Sequence, residues 1–222
     1  MAYILSIETA TTNCSVALSN KGETLVLKED NDPNYSHAES LHSIIDAVLT
    51  EAEVSKSQLD AIAVSKGPGS YTGLRIGVSA AKGLCYALEL PLIAISTLEA
   101  LAHQVQAEDG LIIPMLDARR MEVYSAIFKT NYELLREIEA QILDETSFQA
   151  ELNGSKVYFV GSGVEKTKRI ISHENAIFIE NKLPSAAQMG AMAYVKYKKS
   201  DIVDVAYFEP FYLKDFMVKK KA

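Results

Sequence analysis

Ser65-Lys66-Gly67-Pro68-Gly69-Ser70-Tyr71-Thr72-Gly73-Leu74-Arg75-Ile76-Gly77 follows the apolar run Ala61-Ile62-Ala63-Val64 and leads into a small-residue segment, Val78 to Leu88, of helical periodicity. The order is strand, glycine-proline turn, helix. Gly67 and Gly69 bracket Pro68, which suits a tight turn with positive φ at one glycine and a fixed φ at the proline. Ser70 or Thr72 can cap the helix, whose first amides have no partner within it. A glycine-rich loop opening a helix is a ready anion site. Neither GxxxxGK(S/T) nor GxGxxG spacing is present, however, so plain turn geometry stands beside phosphate binding. Inside the helix Gly73, Gly77 and Gly83 each cost about 1 kcal/mol relative to alanine. With Ala80 and Ala81, Gly73 and Gly77 make a small-residue face, and the expectation is that another helix lies close to it.

Upstream of that stretch, residues 3–8, 14–19 and 24–27 read as three strands joined by the polar turn Thr9–Asn13 and the hairpin Asn20-Lys21-Gly22-Glu23. After the loop at 31–34, Ser36 and Glu39 form a capping box. Leu41, Ile44, Ile45, Val48 and Leu49 then make one apolar stripe of a helix over 37–52. A strand at 92–95 and a helix at 97–107 follow the glycine-bearing helix. The second half reads as strands at 111–116, 122–128 and 133–143, a helix near 144–152, a strand at 157–160 ended by Gly161-Ser162-Gly163, a helix at 164–173, a strand at 176–179 and a last helix from Pro184-Ser185. Both halves therefore run βββ-α-β-α-β-α, which sets an expected boundary between 1–108 and 109–222.

The 222 residues are 48% hydrophobic and 23% charged, ordinary values for a globular chain of one large or two small domains. A formal net charge of −7 excludes nucleic-acid binding through the whole surface. Only Lys214 to Lys221 is locally basic, and a solvated terminus stands beside a nucleic-acid contact there. Cys14 and Cys85 lie among apolar neighbours with no spacing motif, which suggests thiols in a reducing compartment. Met1-Ala2-Tyr3-Ile4 enters a strand without a basic lead, and no apolar run reaches the ~20 residues of a membrane span. A cytoplasmic location is expected. None of His37, His42, His103 and His173 has ligand spacing; His37 is read as a solvated cap residue.

The duplicated layout resembles the paired ribonuclease-H-like halves of the actin, sugar-kinase and Hsp70 superfamily. In that superfamily a nucleotide lies between the halves, its phosphates cradled by two hairpin turns. The resemblance places a degenerate cleft here at Thr9, Thr11 and Thr12, at Asp117 and Arg119 of the second turn, and at Gly161 and Gly163. Weak ATP or ADP binding is the most it implies. Further stretches narrow the resemblance: Ile7-Glu8-Thr9 with Ser15-Val16-Ala17, Lys66 to Arg75, Asp117-Ala118-Arg119-Arg120-Met121-Glu122-Val123-Tyr124, Val160-Gly161-Ser162-Gly163 and Pro210-Phe211-Tyr212-Leu213. Together they are similar to the bacterial TsaB (YeaZ) family, from Ile4 to Leu213.

That resemblance implies a non-catalytic scaffold in the machinery that makes N6-threonylcarbamoyladenosine at adenosine 37 of tRNAs reading ANN codons. The implied partners are the related catalytic subunit TsaD, the ATPase TsaE, a second copy of the chain, and tRNA through the complex; TsaC supplies the threonylcarbamoyl-adenylate. The catalytic relative carries a metal on an HxxxH pair and an Asp. Alignment of the matching strand and late helix puts Thr97, Leu101 and Ser185 at those three positions, and none can replace an imidazole or carboxylate ligand. No resident metal is expected. The resemblance also implies pairing through His42, Ile45 and Leu49 on the first helix and Leu74, Ile76, Gly77, Ala80 and Gly83 on the glycine-bearing one. An ATP-dependent phosphotransferase of the same superfold and a metallopeptidase are the alternatives. Glu8, where kinases often carry Asp, weakens the first, and the missing ligands weaken the second.

Overall fold

Strand β1 (Tyr3–Glu8) is buried almost throughout and is the axis of the first sheet. It pairs antiparallel with β2 (Asn13–Asn20), which pairs with β3 (Glu23–Asn31), and parallel with β4 (Ala61–Gly67), which pairs with β5 (Leu92–Ser96). The order is β3-β2-β1-β4-β5. The second sheet is built from β6 (Leu111–Asp117), β7 (Glu122–Lys129), β8 (Leu134–Ile142), β9 (Val157–Val160) and β10 (Ala176–Ile179). Its order, β8-β7-β6-β9-β10, repeats that of the first sheet strand for strand. The computed structural model describes residues 1–31 and 37–214. The capping box at Ser36 and the basic run after Lys214 lie outside those residues.

The interleaved helices are α1 (His37–Glu51), α2 (Tyr71–Leu88), α3 (Thr97–Ala102), α4 (Gln149–Gly154), α5 (Val164–Ile170) and α6 (Met189–Lys198). The apolar stripes of α1 and α2 close one face of the first sheet, with Leu41, Ile45 and Val48 meeting Leu5, Ile7 and Val78. α6 packs on the other face, where Met189 and Ala193 meet Ile4, Ala17 and Ile93. Short α3 serves both sheets: Ala100 joins that cluster, while Leu98 and Leu101 join Ile112, Ala126 and Val160 of the second. The last segment straps the first half. Val203 bridges to the β5 edge at Leu92, Lys82 donates to the Ala206 and Phe208 carbonyls, and the Phe211 amide bonds the Lys66 carbonyl.

Four helices start or stop away from their expected positions: α5 ends at Ile170 instead of 173, where Ile171 turns extended, and the other three differ for a hydrogen-bonding reason. α3 ends at Ala102 instead of near 107, because Gln104 turns aside to donate to the Leu183 carbonyl. α4 starts at Gln149 instead of 144, because Asp144 takes the Thr146 amide and hydroxyl in a local turn. α6 starts at Met189, not at Pro184-Ser185. The Ala186 amide is drawn to the Ser15 hydroxyl at 2.9 Å, so residues 184–188 lie across the first sheet before the helix begins.

Candidate functional site

The Gly67–Gly77 stretch is a seat for the β1–β2 turn. Gly67 takes φ +108, as a glycine beside Pro68 should, and Ser70 caps α2 by accepting from the Gly73 amide. The Ser70 amide donates to the Ala10 carbonyl at 2.7 Å, and the Thr9 hydroxyl donates to the Gly73 carbonyl at 2.8 Å. A β-carbon on Gly73 would stand 2.1 Å from the Thr9 carbonyl oxygen, and one on Gly77 2.2 Å from the Thr9 hydroxyl. Gly69 is pressed against Ala10 in the same way. Contrary to expectation, then, the small-residue face made by Gly73 and Gly77 receives this chain's own turn and not a partner helix.

Several of the turn's donors are engaged within the protein. Thr9 is fully buried; its amide faces the Ser65 hydroxyl at 3.5 Å, the Ala10 amide bonds Glu8 Oε1 at 2.6 Å, and the Asn13 amide bonds the Thr11 hydroxyl. Thr11 and Thr12 are half-buried, and the Thr11 carbonyl holds the buried ring of His37 at 2.6 Å. His37 is thus a core residue and not a solvated cap, since its polar nitrogen has this carbonyl to meet. Asn13 Nδ2 reaches the Pro184 carbonyl, which fixes the 184–188 segment over the end of the sheet.

Under that segment sits Glu8. Strand alternation puts Ser6 and Glu8 on the face that also carries Ile4, and the neighbouring strands bring Ser15 and Ser65 to the same face. Burial pushes the Glu8 carboxyl up to about 7, against the opposing pull of the Ala10 amide, the Ser65 hydroxyl and the Thr9 amide. Glu8 Oε2, Ser6 Oγ, Thr97 Oγ1 and Gln188 Oε1 are all buried without a hydrogen-bond partner. The alternation of β1 made Ser6 and Glu8 inward-facing readable from the sequence. The lid at 184–188 had no local signal.

Thr97 and Leu101 are fully buried and Ser185 nearly so. Leu101 packs into the apolar cluster of the second sheet, and its Cδ2 would meet a β-carbon on Gly161 at 2.5 Å. Ser185 accepts from the Ala187 amide. Among the described residues no three His, Cys, Asp or Glu side chains converge as metal ligands.

In the second half, Gly161 (φ +112) and Gly163 lie against Met115 of β6, and the Gly163 amide bonds the Met115 carbonyl. Asp117 is exposed, but Lys166 Nζ holds its Oδ1 at 2.9 Å and the Arg119 amide donates to the same oxygen. The Ser162 hydroxyl accepts from the Asp117 amide. Of the residues expected to line a nucleotide cleft, Thr9 is packed against α2, and Gly161 and Gly163 have their Cα sides against Met115.

The residues expected at an interface divide in two. Ile45, Leu49 and Leu74 are buried in the core of the first half, and Gly77 is covered by Thr9. Helical periodicity carried them onto the sheet side, where their own chain uses them up. His42, Ile76, Ala80 and Gly83 instead line an open groove of about 670 Å³ between α1 and α2, together with Tyr71, Arg75 and Leu84. A β-carbon on Gly83 would meet nothing within 4 Å.

Two five-stranded sheets of one repeated strand order, with α3 between them, define a duplicated α/β protein of the actin, sugar-kinase and Hsp70 class. The family model described as TsaD, tRNA N6-adenosine threonylcarbamoyltransferase, matches residues 33–221. The Escherichia coli (strain K12) tRNA threonylcarbamoyladenosine biosynthesis protein TsaB is 32% identical, over 98% of this chain and 97% of its own. The Haemophilus influenzae protein of the same name is 29% identical, over 98% and 96%. The solved structure of YeaZ from Pseudomonas aeruginosa superposes with a TM-score of 0.84 at 28% identity, covering 96% of this chain and all of that one. The chain belongs to the TsaB (YeaZ) family.

Proposed function

We propose that this protein serves tRNA threonylcarbamoyladenosine synthesis as a non-catalytic subunit, pairing through the α1–α2 groove with the catalytic TsaD-type relative in a complex that TsaE joins. The observation that carries this reading is the chemistry at Thr97, Leu101 and Ser185. Where the catalytic relative holds a metal, this chain has a threonine, a leucine sealed in an apolar cluster, and a serine. Those side chains supply no imidazole, thiolate or carboxylate for a transition metal. The first turn offers little to a nucleotide's phosphates, since Thr9, Ala10 and Asn13 spend their amides on protein partners. A phosphotransferase reading asks Asp117 to hold a metal-bound phosphate, and Lys166 already engages that carboxylate.

The expected elemental analysis of the purified protein shows iron and zinc far below one equivalent per chain. A full equivalent of either that survives dialysis would refute the non-catalytic reading.

The groove supports pairing because it is open, partly apolar and lined by two packed helices of one rigid half. Ala80 is the cleanest probe of it, being half-buried at the groove floor, whereas an arginine at Gly77 would strike Thr9 and damage the fold. Ala80→Arg is expected to leave the unfolding transition intact while weakening capture of the catalytic relative by about 100-fold or more. An arginine buried without a partner at an interface costs several kcal/mol. Size-exclusion with light scattering, a pull-down and a tRNA modification assay check it; a folded variant that still pairs and still supports modification places the contact elsewhere.

A further inference from the structure

The β6–β7 turn carries Arg119 and Arg120 side by side. Among the described residues neither the Arg119 nor the Arg120 guanidinium has an ion pair or hydrogen bond, and both side chains are exposed. Their acidic neighbours are already engaged, Asp117 by Lys166 and Glu122 by Lys214. Both arginines hold a left-handed backbone, φ +69 and +47, which costs most residues about 1–2 kcal/mol each and which glycine or asparagine adopts readily. The turn is held there from beneath. Lys166 Nζ, with its side chain only 11% exposed, donates to the Arg120 and Glu122 carbonyls at 2.7 and 3.1 Å while engaging Asp117. A nearly buried lysine thus fixes a strained tip that presents two guanidinium forks beside the exposed Met121.

Phe211 and Tyr212 are exposed just before Lys214, which reaches across to Glu122 at the foot of the turn. The sequence beyond Lys214 continues with Lys219, Lys220 and Lys221. Paired guanidiniums match phosphate oxygens in geometry, and arginine with exposed aromatic rings is the common equipment for RNA. On a chain of net charge −7, attraction to RNA has to be local, and among the described residues Arg119 and Arg120 stand side by side without an ion pair. We propose that the Arg119–Arg120 turn is a phosphate contact that holds the RNA backbone of the tRNA substrate in the assembled complex. It rests on the tRNA-modification reading above and gives the scaffold a direct share in substrate binding.

The test uses the complex of this chain with its catalytic relative and an unmodified tRNA transcript, with affinity measured over a series of salt concentrations. In the double variant Arg119→Asn with Arg120→Gly, the tip receives residues suited to its backbone, so the unfolding temperature is expected to stay level or rise and pairing to be unchanged. The tRNA affinity is expected to fall about tenfold at low salt, and the slope of log affinity against log salt to become shallower by about one to two, roughly 0.7–0.9 per lost phosphate contact. Arg119→Lys with Arg120→Lys should restore most of that slope. Unchanged affinity and slope in a properly formed variant complex overturn the RNA contact alone. A wild-type chain that never joins the relative overturns the complex reading and this proposal with it. ATP affinity of the isolated chain that is lost in the variant, with tRNA affinity untouched, assigns the arginines to a nucleotide's phosphates and overturns the RNA contact too.

Discussion

Replacing Gly73 by alanine is expected to cost this protein about 3 kcal/mol or more, while the same substitution at Gly83, on the same helix, stabilises it by about 0.5–1 kcal/mol. The two glycines are alike in sequence context and opposite in surroundings. At Gly73 the new β-carbon would lie 2.1 Å from the Thr9 carbonyl oxygen, a backbone atom that cannot rotate away. α2 would have to lift from the β1–β2 turn, breaking the Thr9 hydroxyl bond to the Gly73 carbonyl and the Ser70–Ala10 backbone bond. Those contacts join a turn of the central strand to a helix more than sixty residues later, so the damage is global. At Gly83 nothing stands within 4 Å, and alanine gains helix propensity without a clash. Urea unfolding of the two variants decides it: equal midpoints for Gly73→Ala and the parent would mean that α2 does not press on Thr9.

The same pair of glycines marks how far local pattern reaches. The strand–turn–helix order and the repeated element order were legible, and local chemistry narrowed the cap to Ser70 or Thr72 and the positive φ to Gly67 or Gly69; the structure uses Ser70 and Gly67. That α2 carries a small-residue face was legible too. What meets the face was not, since the occupant is Thr9, brought there by the pairing of β1 with β4. Gly77 therefore read as outward-facing when it is one of the most crowded positions on the helix. Pro184-Ser185 failed for a related reason. It has the chemistry of a helix start, but Ser15 and Asn13, distant in sequence, claim that backbone first. At the site, His42, Ile76, Ala80 and Gly83 came out on the groove because helical spacing alone separates them from the sheet side. Arg119 and Arg120 were visible as charges, but their freedom shows only once Lys166 and Lys214 are seen to have taken the nearby carboxylates.

The pH dependence of stability is expected to hinge on Glu8. Its carboxyl sits at about 7 in the folded protein against 4.5 as the ordinary value, with burial as the main cause. Below about pH 4.5 both folded and unfolded chains carry the proton and the full stability is present. Between 4.5 and 7 the unfolded chain gives it up while the folded one keeps it, so the Glu8 contribution falls as pH rises, by about 3 kcal/mol, and levels off above 7, while His103, held below its ordinary 6.5 by burial, pulls the other way within the same window. Asp46, Asp144 and Asp201 are held below their ordinary value of 3.8 by side-chain hydrogen bonds, so their contribution is lost only as pH drops further and lies outside this window. Glu8→Gln keeps the shape and leaves an oxygen for the Ala10 amide, but removes the ionisation. The variant should match the parent near pH 4.5 and exceed it by about 2–3 kcal/mol at pH 8, with the gap opening across the predicted interval. Parallel curves from pH 5 to 8 would show that Glu8 stays ionised in the folded state. That outcome would require Glu8 Oε2, buried and unpartnered, to hold a full negative charge, which burial makes costly by several kcal/mol. A neutral Glu8 meets the same surroundings as a hydrogen-bond donor among acceptors. The inner face of β1 thus keeps a carboxyl that burial holds neutral across the lower part of this range.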